Sequence, residues 1–252
     1  RSYIPALIGL ILKLFLNKKF IFDMRGFWAD ERVDGGIWSK NSLIYKITKR
    51  LEIFMLKYSD KIVTLTKISK EILIKDFIFL NNNKIEVIPT CVDLSQFNYK
   101  NHRKINNKNT FVVGYLGSIG TWYEFDKVII FFQAIKKEIK NAKLNIISHS
   151  DSKEIRNIIT KFNLDDNDII INNVKHSEIH NFIKNFDIST FFIKQCFSKK
   201  ASCPTKLAES LAMGIPVVTG SDIGDTDNII LESKNKIGII IKEFNQVEIL
   251  LA

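Results

Sequence analysis

Short apolar segments alternate along the chain with longer segments in which apolar residues recur every three or four positions. The short segments predict strands, and the longer ones predict amphipathic helices. Strands are predicted at 20–23, 61–66, 85–88, 111–116, 144–148, 169–171, 187–193, 215–219 and 237–241, helices at 4–16, 39–58, 67–79 and 125–139, and a polar loop at 24–38. Apolar strands that alternate with helices are typical of parallel sheets covered on both faces. The pattern therefore predicts an α/β protein with doubly wound, parallel sheets.

A polar stretch rich in asparagine and lysine interrupts this pattern between residues 93 and 110. It predicts a first domain at 1–98, a linker at 99–110 and a second domain at 111–252. The chain opens with Arg1 rather than methionine and stops at Ala252 within an apparent helix. We therefore expect a fragment whose first domain is incomplete.

Composition narrows the class of protein. The chain has 252 residues, 46% of them hydrophobic and 25% charged, which suits a globular protein with a sizeable core. Its three cysteines are odd in number and scattered, which favours a reducing compartment over a disulfide or zinc framework. The apolar run from Ile4 to Leu16 is interrupted by Lys13 and is shorter than the roughly 20 residues that span a bilayer.

The net charge of +10 lies entirely in the first part of the chain. Residues 1–110 contain 20 lysines and arginines against 10 aspartates and glutamates, and the two signs balance in residues 111–252. Such asymmetry indicates an anionic partner, either a membrane surface, a lipid phosphate or a nucleic acid. A solvated lysine-rich surface is the alternative.

One motif combines a helix start with two charged residues. Pro204-Thr205-Lys206 opens a predicted helix that carries Glu209 and ends at Gly214. Lys206 and Glu209 are three positions apart, so they share a helical face and suit a phosphate and a ribose diol respectively. A helix N-terminus at the carboxyl ends of parallel strands is also a favourable place for a phosphate.

A second motif is a glycine turn between a strand and a helix. The strand 111–116 is followed by Gly117, Ser118, Gly120 and Thr121 and then by the helix 125–139. The glycines allow close approach of backbone N–H groups to a diphosphate, and the hydroxyls add donors. A simple tight turn is the alternative for this motif taken alone. Together with the first motif, we expect the glycine turn at 117–120 and the turn at Pro204 to converge on one pyrophosphate.

A third motif follows the predicted strand 20–23. Asp23 and Arg25 either face a cleft or pair with each other, and we predict the first. The acidic loop that follows contains three residues that could bind sugar hydroxyl groups, Asp30, Glu31 and Asp34. Lys199 and Lys200 are predicted to be solvated.

Two histidines raise the question of a metal. His176 and His180 have helical i, i+4 spacing, but no third ligand is near them in sequence. We therefore predict no metal site.

Three segments together resemble the GT-B glycosyltransferases of family 4, often described as glycosyltransferase group 1. They are the Asp-x-Arg-Gly-Phe-Trp-x-Asp-Glu run at 23–31, the Ile-Pro-Thr-Cys-Val-Asp run at 88–93 with Phe97, and the Pro-Thr-Lys-x-x-Glu and Gly-Ile-Pro-Val-Val runs at 204–218. The resemblance covers about residues 20–242. The Gly-Thr-Trp-Tyr variant at 120–123 resembles a subset of bacterial surface-polysaccharide enzymes.

The resemblance implies two Rossmann-like domains, with a nucleotide sugar held mainly by the second. It also implies retention of anomeric configuration without a metal or cofactor. Glu209 matches the residue that binds the donor ribose, and the glycine turn matches the loop under the diphosphate. The expected site residues are Asp23, Arg25 and Lys206 for catalysis, Glu31 for the acceptor, and Gly117, Ser118, Gly120, Thr121, Lys194, Pro204, Thr205, Lys206, Glu209, Gly224 and Asp225 for the donor.

Two departures from the family pattern change the expected chemistry. The family commonly has a second glutamate eight positions before Glu209, where this chain has Ala201. The basic pair that usually follows the glycine loop is also absent. Another cation must then stabilise the negative charge of the leaving group. Lys206 is the first candidate, followed by Lys194 and Arg25.

The sequence thus predicts a retaining glycosyltransferase that moves a sugar from a nucleoside diphosphate to a glycan or lipid-linked acceptor. The expected location is cytoplasmic, peripheral at the inner, anionic face of the membrane, with no nucleic-acid partner. Three alternatives stay open: a GT-B nucleotide-sugar epimerase, a non-catalytic basic α/β protein that binds nucleic acid, and a truncated chain without activity.

Overall fold

The computed structural model describes residues 2–101, 109–245 and 248–249, and these form two compact units. The first unit comprises Arg1–Thr90 with Gln195–Cys203 and Asp222–Thr226. The second comprises Cys91–Lys194, Pro204–Ser221 and Asp227–Ala252. Two short segments from the later sequence thus belong to the first unit, which a division of the chain at residues 98 and 111 does not anticipate. Within the predicted linker 99–110, residues 102–108 lie outside the described residues, as do residues 250–252 of the apparent last helix.

The first unit contains a three-stranded parallel sheet in the order β1-β2-β3. Its strands are β1 (Ile21–Asp23), β2 (Lys61–Thr64) and β3 (Ile85–Val87), and its helices are α1 (Tyr3–Leu16), α2 (Trp28–Asp34), α3 (Leu43–Tyr58) and α4 (Lys67–Asp76). Phe22, Ile62 and Ile85 are aligned across the sheet and fully buried. Met55 and Leu56 of α3 complete this core.

The polar loop predicted at 24–38 is wrong in part, because it contains helix α2. Asp30 and Glu31 lie in the first turn and Arg32 in the last, an arrangement that complements the helix dipole. Ala29 is fully buried, whereas most of the neighbouring polar side chains are partly exposed. Most residues of α2 are polar or charged and only one narrow face is buried, so the apolar periodicity that predicts a helix is absent from its sequence.

Two apolar surfaces of the first unit face outward. Ile4, Ile8, Ile11 and Phe15 form an exposed stripe along α1, since their spacing of three or four residues places them on one side of the helix. β1 is an edge strand of its sheet, and Ile21 on it is 64% exposed.

The second sheet has six parallel strands in the order β6-β5-β4-β7-β8-β9. The elements in chain order are β4 (Val112–Leu116), α5 (Phe125–Glu138), β5 (Lys143–Ile147), α6 (Ser152–Lys161), β6 (Ile169–Asn172), α7 (Ile179–Ile183), β7 (Ile188–Phe191), α8 (Thr205–Ala212), β8 (Val217–Gly220), α9 (Thr226–Leu231) and β9 (Gly238–Ile241). All nine predicted strands are present, with ends within two residues of the prediction. The α/β prediction with parallel sheets is confirmed.

The strand order reverses between β4 and β7. From β4 the chain proceeds outward through β5 to β6, and from β7 it proceeds in the opposite direction through β8 to β9. In open α/β sheets, ligands bind outside the carboxyl ends of the strands at such a switch point. The loops after β4 and β7 are therefore the first place to look for a site.

No helix within the described ranges is both long and apolar enough to cross a bilayer.

Candidate active site

The loop after β4 is held in a fixed, glycine-dependent conformation. Gly117 and Gly120 have φ values of 143° and 100°, which a residue with a side chain rarely adopts. The hydroxyl of Tyr115 donates to the carbonyl of Ser118 at 2.6 Å, and the backbone N–H of Ile119 donates to Ser150 Oγ at 2.9 Å. The loop is therefore preorganised rather than dependent on a ligand for its shape.

Helix α8 presents an uncapped N-terminus and two buried charged residues. Pro204 at the N-cap position makes no side-chain capping hydrogen bond, and the first turn contains no acidic residue. Free N–H groups at a helix start favour an anion. Lys206 and Glu209 are 7% and 4% exposed and lie on the same face of α8.

Lys206 is enclosed by aromatic rings. Its Nζ lies 3.7 Å from the centroid of Tyr123, 5.5 Å from that of Tyr115 and 5.4 Å from that of Phe191. Within the described residues this ammonium has no hydrogen-bond partner. Burial lowers the pKa of Lys206 to about 7, although the nearby charge of Glu209 acts in the opposite direction. A buried cation without a hydrogen bond is costly unless a ligand supplies the acceptor.

Lys206 also lies against the glycine loop. A Cβ atom added to Gly117 would collide with Lys206 Nζ. The start of α8 and the loop after β4 thus meet at one point, which is the convergence that the sequence predicted.

Glu209 is hydrogen-bonded at one oxygen. His176 Nε2 lies 3.0 Å from Glu209 Oε1. His176 opens the 3₁₀ turn His176–Glu178, which follows β6 after a short loop. Sequence spacing indicated His176 only as a possible metal ligand and gave no sign of this contact, because 33 residues separate His176 from Glu209.

These groups line one cavity of about 320 Å³ at the carboxyl ends of the strands in the second unit. Its wall includes five predicted donor residues together with residues from the loops after β5 and β6. The lining residues are Leu116, Gly117, Ser118, Tyr123, Ile147, Ser148, His149, Val174, His176, Ile179, Thr205, Lys206 and Glu209.

The other predicted donor residues lie outside this wall. Gly120 and Thr121 are in the same loop, with φ values of 100° and 45°. Lys194 is exposed beyond the end of β7, and its backbone N–H donates to the carbonyl of Trp122.

Gly224 and Asp225 belong to the first unit. The carboxylate of Asp225 accepts hydrogen bonds from the backbone N–H groups of Lys67 at 2.7 Å and Ile68 at 3.2 Å, at the start of α4. A Cβ atom at Gly224 would collide with the carbonyl oxygen of Ser202, so glycine is required there.

Asp23 and Arg25 lie at the carboxyl end of β1, as predicted. Asp23 is half-buried, and Arg25 is exposed. Arg25 has a φ of 62°, a left-handed conformation that is uncommon for a residue with a side chain and often occurs at functional sites.

The solvated position predicted for Lys199 is wrong. Lys199 is 6% exposed, and its Nζ lies 2.7 Å from Glu31 Oε1. The 3₁₀ turn Phe197–Ala201 packs against α2, so the lysine is buried beside a counterion. Glu31, the predicted acceptor residue, thus forms an ion pair, and Asp34 accepts the backbone N–H of Ser198 at 2.9 Å.

Asp30 joins a second buried network. Tyr45 Oη and Lys49 Nζ bind its two carboxylate oxygens, at 2.8 and 2.9 Å, and Lys49 also binds Glu52 at 2.6 Å. Burial and the hydrogen bond to Asp30 raise the pKa of Tyr45 to about 12. These contacts connect α2 and α3.

Ala201 stands where the family commonly has a carboxylate. It is 2% exposed and packs in the core of the first unit. Within the described residues, no group of three or more potential metal ligands occurs.

The chain has two parallel α/β units, and the second has a cavity at the switch point of its sheet, a combination that is typical of the GT-B architecture. The family of glycosyl transferases group 1 matches residues 98–250. The chain belongs to this family. No curated protein sequence gives a significant match.

Solved structures share the fold at low sequence identity. HepE from Anabaena, solved with UDP and glucose, has a TM-score of 0.68 and 14% identity, with 98% of this chain and 64% of HepE covered. Sucrose-phosphate synthase from Thermosynechococcus elongatus has a TM-score of 0.71 and 13% identity, with 99% and 62% covered. WaaG, a glycosyltransferase involved in lipopolysaccharide biosynthesis, has a TM-score of 0.65 and 14% identity, with 98% and 70% covered. The chain thus spans less than two thirds of the length of the first two.

Proposed function

We propose that this protein is a retaining glycosyltransferase that transfers a sugar from a nucleoside-diphosphate sugar to a glycan or lipid-linked acceptor. The observation that carries the proposal is Lys206, a buried ammonium without a hydrogen-bond partner in the described part of the chain, at the wall of the cavity. A diphosphate supplies the acceptor oxygens that this cation lacks. HepE, which shares the fold, was solved with UDP-glucose.

The chemistry follows from the charge that develops when the sugar–phosphate bond breaks. The leaving nucleoside diphosphate gains negative charge, and donors already in position stabilise it without reorganisation. Lys206 is such a donor, and the proposal adds the backbone N–H groups of Thr205 and Ser118. The N–H groups of Leu207, Gly117 and Ile119 already donate to Pro204, Ile147 and Ser150. In this proposal Lys206 and the two added N–H groups take the place of the basic pair that the sequence lacks, and Glu209 binds the ribose.

The proposal requires neither a metal nor a cofactor, because the leaving-group charge is met by an ammonium and backbone dipoles. The test is transfer activity in the presence of EDTA. Full activity after chelation supports the proposal, and loss that is restored by Mg²⁺ contradicts it.

Nucleotide binding tests the site directly. Isothermal titration with UDP, GDP and ADP is expected to give measurable affinity for one of them. Lys206→Met is expected to weaken that affinity at least about tenfold, since a charge-assisted hydrogen bond is lost. Lys153→Met, at an exposed position on α6, is the matched control and is expected to bind like the wild type. Equal affinity of the Lys206→Met variant and the wild type would overturn the proposal.

An epimerase is the second candidate, because it would bind the same donor in the same cavity. Incubation with the nucleotide sugar alone separates the two reactions. An epimerised nucleotide sugar indicates the epimerase, whereas a product that forms only with an added acceptor indicates transfer. Nuclear magnetic resonance of that product gives its anomeric configuration, and inversion would contradict the retaining mechanism.

We also propose that the acceptor lies at the cytoplasmic, anionic face of a membrane. The support is the excess of positive charge in residues 1–110. Co-sedimentation with vesicles of anionic lipid is expected at low salt and is expected to weaken as salt screens the charges. Equal binding to neutral vesicles would contradict the electrostatic origin. Co-sedimentation with DNA under the same conditions would favour the nucleic-acid alternative.

A further inference from the structure

His176 touches a residue of the proposed donor site from a distant part of the sequence. Its Nε2 lies 3.0 Å from Glu209 Oε1. The imidazole is 68% exposed, whereas the carboxylate side chain is 5% exposed. His176 therefore contacts Glu209 from the solvent-exposed side of the cavity, whereas the Glu209 side chain is buried in the cavity wall.

The imidazole of His176 packs near a buried aromatic ring. The ring of Phe97 lies 6.2 Å from that of His176, and Phe97 is 1% exposed. Phe97 packs with Val112, Ile179 and Ile183 in the core of the second unit. A buried aromatic ring thus restricts where the imidazole can lie, although most of its surface is open to solvent.

One oxygen of Glu209 is consequently engaged and the other is available. Within the described residues, Oε1 is bound by His176 and Oε2 makes no hydrogen bond. A glutamate side chain has three rotatable bonds, and a contact at one oxygen restricts all of them. The direction in which Oε2 can accept a hydrogen bond is therefore fixed by His176.

We propose that His176 is a positioning residue that makes the nucleotide site selective for ribose over 2′-deoxyribose. The inference rests on the proposed function, in which Glu209 accepts hydrogen bonds from the ribose hydroxyls. A carboxylate held by His176 meets the 2′-hydroxyl in a fixed geometry. A carboxylate released from His176 rotates toward water and loses this discrimination.

The experiment compares two affinities in each variant. UDP, GDP and ADP are titrated first, and the nucleotide that binds most tightly is then compared with its 2′-deoxy counterpart. The wild type is expected to prefer the ribonucleotide by about tenfold or more, the size of a hydrogen bond to a charged group. His176→Ala is expected to reduce that ratio at least about threefold.

Two further variants separate positioning from general damage. His176→Gln keeps an N–H donor and is expected to retain most of the ratio. His180→Ala removes the other histidine beside Phe97, at 6.1 Å between ring centroids, and is expected to leave the ratio unchanged. If His176→Ala does not fold, His176→Ser provides the same measurement.

The outcomes distinguish this inference from the proposed function. A wild type that binds none of the three nucleotides contradicts the proposed function and with it the inference. A wild type that binds a nucleotide, while His176→Ala keeps the full preference for ribose, contradicts the inference alone. If His180→Ala lowers the ratio of ribonucleotide to deoxyribonucleotide affinity as much as His176→Ala does, the inference about His176 is also contradicted, because the effect would then come from disturbed packing around Phe97.

Discussion

Lys206 Nζ lies 3.7 Å above the ring of Tyr123, close enough for a cation–π interaction. The ring face stabilises a positive charge but provides no hydrogen-bond acceptor. Lys206 is therefore held in place and remains able to bind an anion, which gives its protonation state measurable consequences.

Binding of a nucleotide sugar is predicted to weaken as pH rises above 7. The pKa of Lys206 is about 7 in the free protein, and an adjacent diphosphate raises it, so binding takes up a proton. Affinity is expected to fall by up to about tenfold per pH unit above 7, until the pKa of the complex is reached. Calorimetry between pH 6.5 and 9, with the nucleotide sugar whose nucleoside diphosphate binds most tightly, checks this, because the diphosphate diester of a nucleotide sugar does not titrate in that range.

Stability is predicted to change with pH in the opposite direction. The pKa of Lys206 is lower in the folded than in the unfolded chain, so the unfolded chain binds more protons between about pH 7 and 10.5. The wild type should therefore gain free energy of unfolding relative to Lys206→Met as pH rises, by at most about 1.4 kcal/mol per unit. Urea unfolding of both proteins at pH 6 to 9 measures the difference. A constant difference would show that burial does not depress this pKa.

Gly117→Ala is predicted to weaken nucleotide binding more than about tenfold, because the new Cβ would displace Lys206 Nζ. Gly120→Ala is the matched control. It also has a positive φ, but among the described residues no atom beyond its two chain neighbours lies within 4 Å of its added Cβ. Both variants are expected to lose about 1–3 kcal/mol of stability from backbone strain. Calorimetry should show weakened binding beyond tenfold only for Gly117→Ala, and an equal effect of both would assign the loss to the loop backbone.

Glu31→Ala is predicted to destabilise the first unit more than Lys199→Met does. The alanine substitution removes the carboxylate that binds the buried ammonium of Lys199, whereas the methionine substitution removes the charge and keeps an apolar chain. We expect a loss of about 2 kcal/mol for Glu31→Ala and less for Lys199→Met. Chemical denaturation of both and of the double variant tests this. A smaller loss in Glu31→Ala would mean that Lys199 is solvated after all.

Features of the fold that depend on residues close together in the sequence were predicted correctly. Apolar segments located all nine strands of the described residues. Helical spacing placed Lys206 and Glu209 on one face of α8, and that face is buried. The glycine loop and the start of α8 were expected to meet because both follow the carboxyl ends of parallel strands.

Contacts between distant segments could not be predicted in the same way. Tyr115 and Phe191 look like ordinary strand residues, and only the pairing of β4 with β7 brings them around Lys206. Lys199 lies in a polar stretch, and its burial depends on α2, which sequence periodicity did not reveal. Sequence spacing likewise gives no sign that His176 reaches Glu209.

The edge strand β1 of the three-stranded sheet has a consequence for purification of this polypeptide. Within the described residues β1 is an edge strand that carries the exposed Ile21 side chain, so an extended segment of a neighbouring molecule can add beside Ile21. The carbonyl of Asp23 is not available for this, because it accepts the backbone N–H of Ser2 at 2.8 Å. The 252-residue polypeptide is therefore expected to self-associate at high concentration, and an acidic substitution at Ile21 is expected to reduce that association.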